Sequence, residues 1–375
     1  MNSEMLPMEF GEQVIYTLRS LYNRYGYSHY KMNKFEEYDL YASNKDFLIS
    51  DSVITFTDTN GKLMALKPDV TLSIVKNSRD AADTVQKLYY NENVYRVAKG
   101  SHGFKEIMQV GLECLGKIDS HCICEVLLLA AESLRSISEN GVLNISHLGL
   151  LAELLQTVGI PQQKQYRVLE CLGEKNMHQM EALCRSIGVS EETIDVLRQL
   201  IGLSGTPAAV LPQLRKLLTG VISLSALEQL EQVIAALEEE PVSSMLRIDF
   251  SAVDNIRYYN GIVFKGYLPG VPVSVLSGGQ YDKLMGEMGR SSGAMGFAVY
   301  MDALERFKDS PREYDVDILL LYDESAPLSL VRHQVKALTD AGNCVMLQQA
   351  IPNDLKYRQL MKISGSEVTT LGNNA

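Results

Sequence analysis

Apolar residues recur three and four apart between Glu9 and Tyr25 (Val14, Ile15, Leu18, Leu21, Tyr22), which predicts an amphipathic helix that stops near Gly26. The period then shortens. In SVITFTDTNGKLMALKPDVT, apolar and polar residues alternate on both sides of TNGK, and Asn60-Gly61 is the composition of a tight hairpin turn. A helix is expected to begin near Pro68, with Asp69 and Thr71 at its mouth. KLYYNENVYRVAKG, FKEIMQVGLECLG and VPVSVLSGG have strand character, and with the hairpin they predict an antiparallel sheet. A second helix is expected from roughly Ser120 to Asn140, with Asp119 or Ser120 as its N-cap.

From about residue 145 to about 240 the chain changes character. Leu, Glu, Gln and Ala fall at helical spacing, broken by VGIPQQ, IGVSEE and LSGTPAA, and SALEQLEQVIAALEEE is the clearest helix. This reads as a helical insertion. After Asp309, YDVDILLLYDES, a helix-like APLSLVRHQVKALTDAG and the strand-like NCVMLQQ predict a small α/β unit, with LKYRQLMKI as its next helix.

At 375 residues the chain exceeds what one core usually serves, and its 46% hydrophobic content suits a globular protein. It has no apolar run long enough to span a bilayer, and MNSEMLPMEFGEQV lacks the basic and apolar segments of a signal peptide, so a cytoplasmic location without membrane association is expected. The six cysteines are scattered, mostly in apolar contexts, and predict buried reduced thiols. His121, Cys122 and Cys124 hint at a metal site but lack a second ligand pair, so no metal is expected. The net charge of −11 argues against a large nucleic-acid footprint, although one basic face can hide within an acidic total.

Five ordered segments carry the chemistry: LKPDVT (66–71), VYRVAKGSHGFKEIMQVGLECLG (94–116), IRYYNGIVF (256–264), SGGQYDKL (277–284) and AMGFAVYMDAL (294–304). In order and spacing they resemble the catalytic fold of class II histidyl-tRNA synthetases over roughly residues 8 to 307, with a weaker echo in the tail. The resemblance implies an α+β fold. A synthetase-like domain over 1–308 would have an antiparallel sheet, flanking helices and the helical insertion, and a truncated anticodon-binding-like α/β domain would occupy 309–375.

By that resemblance, Asp69, Thr71, Arg96, Gln109, Glu113, Tyr258 and Tyr259 stand at the histidine pocket. The residue types suit the ligand. Carboxylates hold an ammonium or an imidazole N–H, Arg96 pairs with a carboxylate or phosphate, and Gln109 and Thr71 add neutral hydrogen bonds. Gln109 and Glu113 lie four apart, so on a strand both face one side. The plainer alternatives are a solvated strand face for these two and an ordinary core aromatic for Tyr258.

The departures fall on the nucleotide site, where a developing phosphoryl charge needs preorganised cations. Asp254-Asn255 occupies the place of an Arg-Gly in the family pattern, so Asp254 becomes a candidate further acceptor for the ligand's cationic groups. Arg96 is followed by Val97 and Ala98 rather than by a glutamate two residues on. The family loop's second arginine would fall near Gly103, where this chain has no arginine and Lys105 is the nearest cation. Where the family reads Gly-Leu-Glu-Arg, this chain has Tyr300-Met301-Asp302-Ala303, which predicts a pocket filled by a ring and stripped of its cation. Glu305-Arg306 lies too far along the chain to substitute. Asn33 stands near the place of a proline in the dimer-forming segment, a change that does not exclude dimers.

A kept histidine pocket beside a dismantled ATP site resembles the regulatory subunits of ATP phosphoribosyltransferase, inactive paralogues of the synthetase in histidine biosynthesis. That resemblance implies no catalytic residues and no cofactor. It implies the short-form catalytic subunit as partner, L-histidine as feedback effector, dimers of this chain within a hetero-octamer, and no tRNA. A divergent histidyl-tRNA synthetase is the alternative, with Lys105, Arg257 or Arg306 replacing the missing cations. A sensor for another cationic amino acid is a third reading.

Overall fold

Val14, Leu18, Leu21 and Tyr22 form the buried stripe of the first helix, α1 (Phe10–Arg24). The computed structural model describes residues 9–48, 53–79, 84–97, 103–252, 258–304 and 314–373. The Glu9 amide donates to Glu12 Oε2 at 3.0 Å at the start of α1, and Gly26, at φ +81°, lets the chain leave its end. The residues fall into two compact units, Glu9–Phe307 and one that includes Lys308–Ala375.

In the first unit, α1 is followed by β1 (Ser28–His29), β2 (Phe35–Glu37), α2 (Tyr38–Ser43), β3 (Thr55–Thr57), β4 (Leu63–Leu66), α3 (Thr71–Asn77), β5 (Val85–Val97), β6 (Phe104–Gly116), α4 (Ser120–Ile137) and β7 (Val142–His147). The helical segment comprises α5 (Leu148–Thr157), α6 (Gln162–Gly173), α7 (Met177–Ser186), α8 (Glu191–Gly202), the short β8 (Ser204–Gly205), α9 (Pro207–Leu218) and α10 (Ser225–Glu238). Then come β9 (Leu246–Asp249), β10 (Ile262–Tyr267), β11 (Leu276–Gln280), α11 (Asp282–Glu287), β12 (Gly293–Tyr300) and α12 (Met301–Leu304).

Among the described residues nine strands form the main sheet in the order β1-β5-β6-β12-β11-β10-β7-β9-β8, with its β5-to-β7 span antiparallel throughout. Its two faces carry different cores. Val110, Leu112 and Cys114 of β6 and Met295, Phe297 and Val299 of β12 pack with α1, α4 and the helices of the insertion in one continuous cluster. Leu88, Tyr90, Leu115 and Ala294 pack on the opposite face with Val70, Leu72, Ile74 and Val75 at α3 and Tyr41 of α2. Asp119 caps α4 by accepting from the Cys122 amide at 2.9 Å. Behind α3, Lys67 is 1% exposed and paired with Glu92, whose Oε1 also accepts from the Met32 amide at 3.1 Å.

Three expectations change here. The Thr55–Leu66 hairpin forms a small sheet of its own, β2-β4-β3, rather than joining the main one. Its turn closes around Asp58, not as a two-residue Asn-Gly turn. The Asp58 carbonyl accepts from the Gly61 amide at 3.1 Å, and its Oδ1 accepts from Asn60 and Lys62 amides, each at 2.8 Å. Gly61 has φ +80°, while Asn60 stays at negative φ. Of the cysteines, Cys114, Cys171 and Cys184 are buried, Cys122 and Cys124 are partly buried, and Cys344 is exposed. Among the described residues no helix is long and apolar enough to cross a membrane.

The second unit contains β13 (Val316–Tyr322), α13 (Leu328–Asp340), β14 (Val345–Gln348), β15 (Tyr357–Ser364) and β16 (Glu367–Asn373), with strand order β14-β13-β15-β16. Val331 of α13 packs on Ile318, Leu320 and Ile363. The helix expected over LKYRQLMKI is instead the strand β15. It lies parallel to β13, register Leu319↔Leu360, and turns at Gly365 (φ +55°) into β16. Leu, Gln, Met and Lys are good helix formers, but the apolar strand β13 needs a hydrogen-bonded neighbour on this edge, and pairing overrides propensity.

Candidate functional site

The alternation of β6 decides where the chemistry goes. Met108, Val110, Leu112 and Cys114 turn toward the core under α1 and α4, and Gln109 and Glu113 face the opposite side, four apart. There they line a cavity together with Asp69, Thr71, Tyr258 and Tyr259. Six of the seven residues anticipated for the pocket thus converge on one space. Gln109 and Glu113 are 3% and 2% exposed, which rules out a solvated strand face. Tyr258 is both a core aromatic and a cavity wall.

Asp69 arrives just ahead of α3 and Thr71 on its first turn, and Asp69 Oδ1 accepts from the Leu72 amide at 3.0 Å. That bond satisfies a free helix amide and fixes the carboxylate at the wall. Thr71 Oγ1 donates to Glu113 Oε1 at 2.6 Å, and the Tyr281 hydroxyl donates to Oε2 at 2.6 Å. Both oxygens are therefore held by neutral donors. The Tyr258 ring meets Tyr259 edge-on at 4.7 Å between centroids and leans on Tyr281 at 5.3 Å.

Room for the Glu113 carboxylate comes from the row of residues across the sheet, Glu113↔Gly296↔Gly279. The missing side chain of Gly296 leaves the space that the carboxylate takes, and at Gly279 an added Cβ would come within 2.8 Å of the Tyr259 ring. Burial pushes the Glu113 carboxyl up to about 8, against the pull of the Thr71 and Tyr281 hydrogen bonds, and Asp69 raises it further. Burial likewise raises Asp69, opposed by its bond from the Leu72 amide and by the charge of Arg96. A cavity walled by two raised carboxyls and aromatic rings favours a ligand that brings positive charge.

Arg96 is not among the residues lining this cavity. Its Nε donates to the Pro68 carbonyl at 3.0 Å, and its buried Nη2 has no hydrogen-bond partner. At β11 and the end of β12, the Ser277 Oγ and the Tyr300 hydroxyl share a 2.6 Å hydrogen bond and both line the cavity, while Lys105 Nζ donates to Asp302 Oδ2 at 2.6 Å. Asp254, Asn255, Arg257, Ala98 and Glu305-Arg306 lie outside the described residues.

Sequence reasoning missed Tyr90, Ser277 and Tyr281 as cavity residues. Tyr281 sat inside a quoted motif, SGGQYDKL, and the signal that identifies it is sheet register. Tyr90 is opposite Gly111, two residues from Glu113, and Ser277 is opposite Ala298, two from Gly296.

A family model for histidyl-tRNA synthetase matches residues 3–304. The ATP phosphoribosyltransferase regulatory subunit of Desulfitobacterium hafniense (strain Y51) is 33% identical over 259 residues, 68% of this chain and 67% of its own length. The chain belongs to the family of ATP phosphoribosyltransferase regulatory subunits. The regulatory-subunit reading of the sequence, with its place in histidine biosynthesis, stands. A more distant regulatory subunit, from Oceanobacillus iheyensis, is 23% identical over 329 residues, 86% of this chain and 81% of its own length.

Solved structures share the fold of these regulatory subunits. One, an ATP phosphoribosyltransferase regulatory subunit/histidyl-tRNA synthetase from Bacillus halodurans, has a TM-score of 0.77 at 24% identity, covering 95% of this chain and 94% of that one. Another is the ATP phosphoribosyl transferase (HisG:HisZ) complex from Thermotoga maritima, with a TM-score of 0.62 at 21% identity, covering 78% and 98%. The class II synthetase-like α+β fold expected from the motifs is the fold observed.

Proposed function

We propose that this chain binds the short-form catalytic subunit of ATP phosphoribosyltransferase, activates it, and conveys feedback inhibition by L-histidine held in the cavity between α3 and the main sheet. It performs no aminoacylation and needs no cofactor. The observation that carries this reading is the contrast between the two sides of the cavity. Asp69, Thr71, Gln109 and Glu113 keep hydrogen-bonding groups for an amino-acid cation, while Tyr300 and Ser277 close on each other and Lys105 is neutralised by Asp302. Arg96, held at Pro68, completes the pocket only as a neighbour of Asp69.

Inhibition requires histidine to bind the inhibited state of the complex more tightly than the active state, and the coupling is reciprocal. The assembly is a hetero-octamer, four chains of each kind, around dimers of this chain. On this reading the first unit is the synthetase-like domain and the second a truncated anticodon-binding-like domain without a tRNA role; the soluble chain works in the cytoplasm. The test is reconstitution with a short catalytic subunit, followed by phosphoribosyl transfer with and without histidine, beside histidine-dependent pyrophosphate exchange by this chain alone. Activation, histidine inhibition and no exchange are the expected results. Exchange at synthetase-like rates would overturn the reading.

A further inference from the structure

A cleft of about 270 Å³, separate from the cavity beside α3, opens where α5 and α6 meet the chain entering β10. That is close to the lower end of small-molecule pockets, about 300–1,000 Å³. Helical spacing builds two of its walls. Leu148 and Ala152 lie four apart on α5, and Gln162, Gln165, Tyr166 and Leu169 recur at three and four along α6, so each set shares one face. Tyr259, Asn260 and Lys283 form the third wall.

Hydrogen bonds fix these walls in advance of any ligand. The Leu148 amide donates to the Gly261 carbonyl at 2.8 Å, which ties the start of α5 to the approach of β10. The Asp282 amide donates to Asn260 Oδ1 at 2.7 Å, and Asn260 Nδ2 donates to Asp282 Oδ2 at 3.1 Å, holding the first turn of α11 where Lys283 stands. Gln165 Nε2 donates to the Ile160 carbonyl at 2.9 Å. The side-chain N–H groups of the cleft with no partner among the described residues are Lys283 Nζ and Gln162 Nε2.

Charge sets this cleft apart from the first cavity. Among the described residues no carboxylate lines it, in a chain of net charge −11, whereas Asp69 and Glu113 wall the cavity beside α3. Its apolar surface is Leu148 and Leu169, 3% and 5% exposed, with the rings of Tyr166 and Tyr259. One ammonium and one amide match the two oxygens of a carboxylate, and fall short of a phosphate dianion, which calls for more positive charge. We infer that this cleft is a second ligand site, taking a small carboxylate with a flat aromatic body. The body lies against Leu148, Leu169 and the tyrosine rings, and the carboxylate meets Lys283 and Gln162.

Fluorescence anisotropy with 2-naphthoate and its neutral isostere 2-naphthamide, titrated with the full chain, tests this; the chain has no tryptophan to obscure the naphthalene signal. Lys283 and Ala152 are both exposed, so Lys283→Gln and Ala152→Phe alter the cleft without entering the core. The naphthoate should saturate, with the amide roughly three- to fivefold weaker, as for an exposed ion pair. Lys283→Gln should erase that difference, Ala152→Phe should weaken both probes roughly tenfold or more, and excess L-histidine should leave the naphthoate bound. Equal binding of the two probes to the parent chain would overturn the inference. So would naphthoate binding that Ala152→Phe leaves unchanged or that L-histidine displaces, and so would the lack of saturable binding at millimolar probe.

Discussion

Gly296 stands directly across the sheet from Glu113, and a β-carbon on it would lie 1.8 Å from the Glu113 Oε2. The carboxylate occupies the volume that every other residue type would fill. Gly296→Ala therefore has to expel Glu113 from its bonds with Thr71 and Tyr281 or bend β12. Overpacking of this kind costs about 1–3 kcal/mol, and histidine affinity should fall by roughly 30-fold or more. Thermal unfolding together with titration calorimetry checks both numbers; an unchanged affinity would remove Glu113 from the ligand site.

The pH dependence of the empty protein follows from Glu113. Its folded carboxyl sits at about 8 against an ordinary 4.5, so the native state holds a proton that the unfolded chain has lost across that interval. This group's contribution to stability is complete below about 4.5 and is lost as pH rises through about 8. Glu113→Gln, which stays neutral, should gain melting temperature relative to the parent between pH 6 and pH 9. Parallel melting curves at the two ends of the range would contradict the raised carboxyl.

Histidine affinity should pass through a maximum between the free imidazole value near 6.5 and the Glu113 value of about 8. Below that window the ligand arrives as imidazolium and Glu113 must release its proton; above it the complex must take one up. Titrations in buffers of different ionisation enthalpy should show release on the acid side, uptake on the alkaline side and little exchange between.

Lys67 and Glu92 form a pair in which the lysine is 1% exposed. Lys67→Met strands a partly buried carboxylate and should cost about 3–5 kcal/mol, while Lys67→Met combined with Glu92→Leu should recover most of that loss. Denaturant unfolding of the two variants measures it. By contrast, Lys105 is half-exposed in its pair with Asp302, so Asp302→Ala should change stability by less than about 1 kcal/mol. It should also fail to create pyrophosphate exchange.

Asp69→Asn keeps an acceptor for the Leu72 amide and removes only the charge, so the fold should hold while histidine affinity falls. Asp69→Ala loses the helix-start bond as well, at about 1 kcal/mol more. Equal stability of the two variants would mean that the Leu72 bond contributes little.

Much of the site was readable from local pattern. Gln109 and Glu113 sit at alternate positions from Val110, Leu112 and Cys114, so the two faces of β6 are separable by eye, and Asp69 with Thr71 at a helix mouth is a local signature. The residues that escaped notice depend on register. Nothing near Tyr281 says that its hydroxyl reaches Glu113 from just past the end of β11, a strand two places away from β6 in the sheet. Arg96 shows the reverse: its position was read from a motif, and the Pro68 carbonyl that fixes its Nε is visible only in the fold. The tail failed for a related reason, since LKYRQLMKI carries helix-forming side chains and becomes a strand only because β13 lies beside it.

The helices between β7 and β9 bury their apolar faces in the same cluster as the central strands, and α9 packs on β9, whose Leu246 and Ile248 are fully buried. This segment is accordingly no exchangeable module. A chain spliced from β7 straight to β9 would open one wall of its own interior to water, so lengthening or shortening the helices would be felt by every strand between them and the cavity. The first unit should lose its structure in one transition, with amides of the helical segment and of β6 exchanging together.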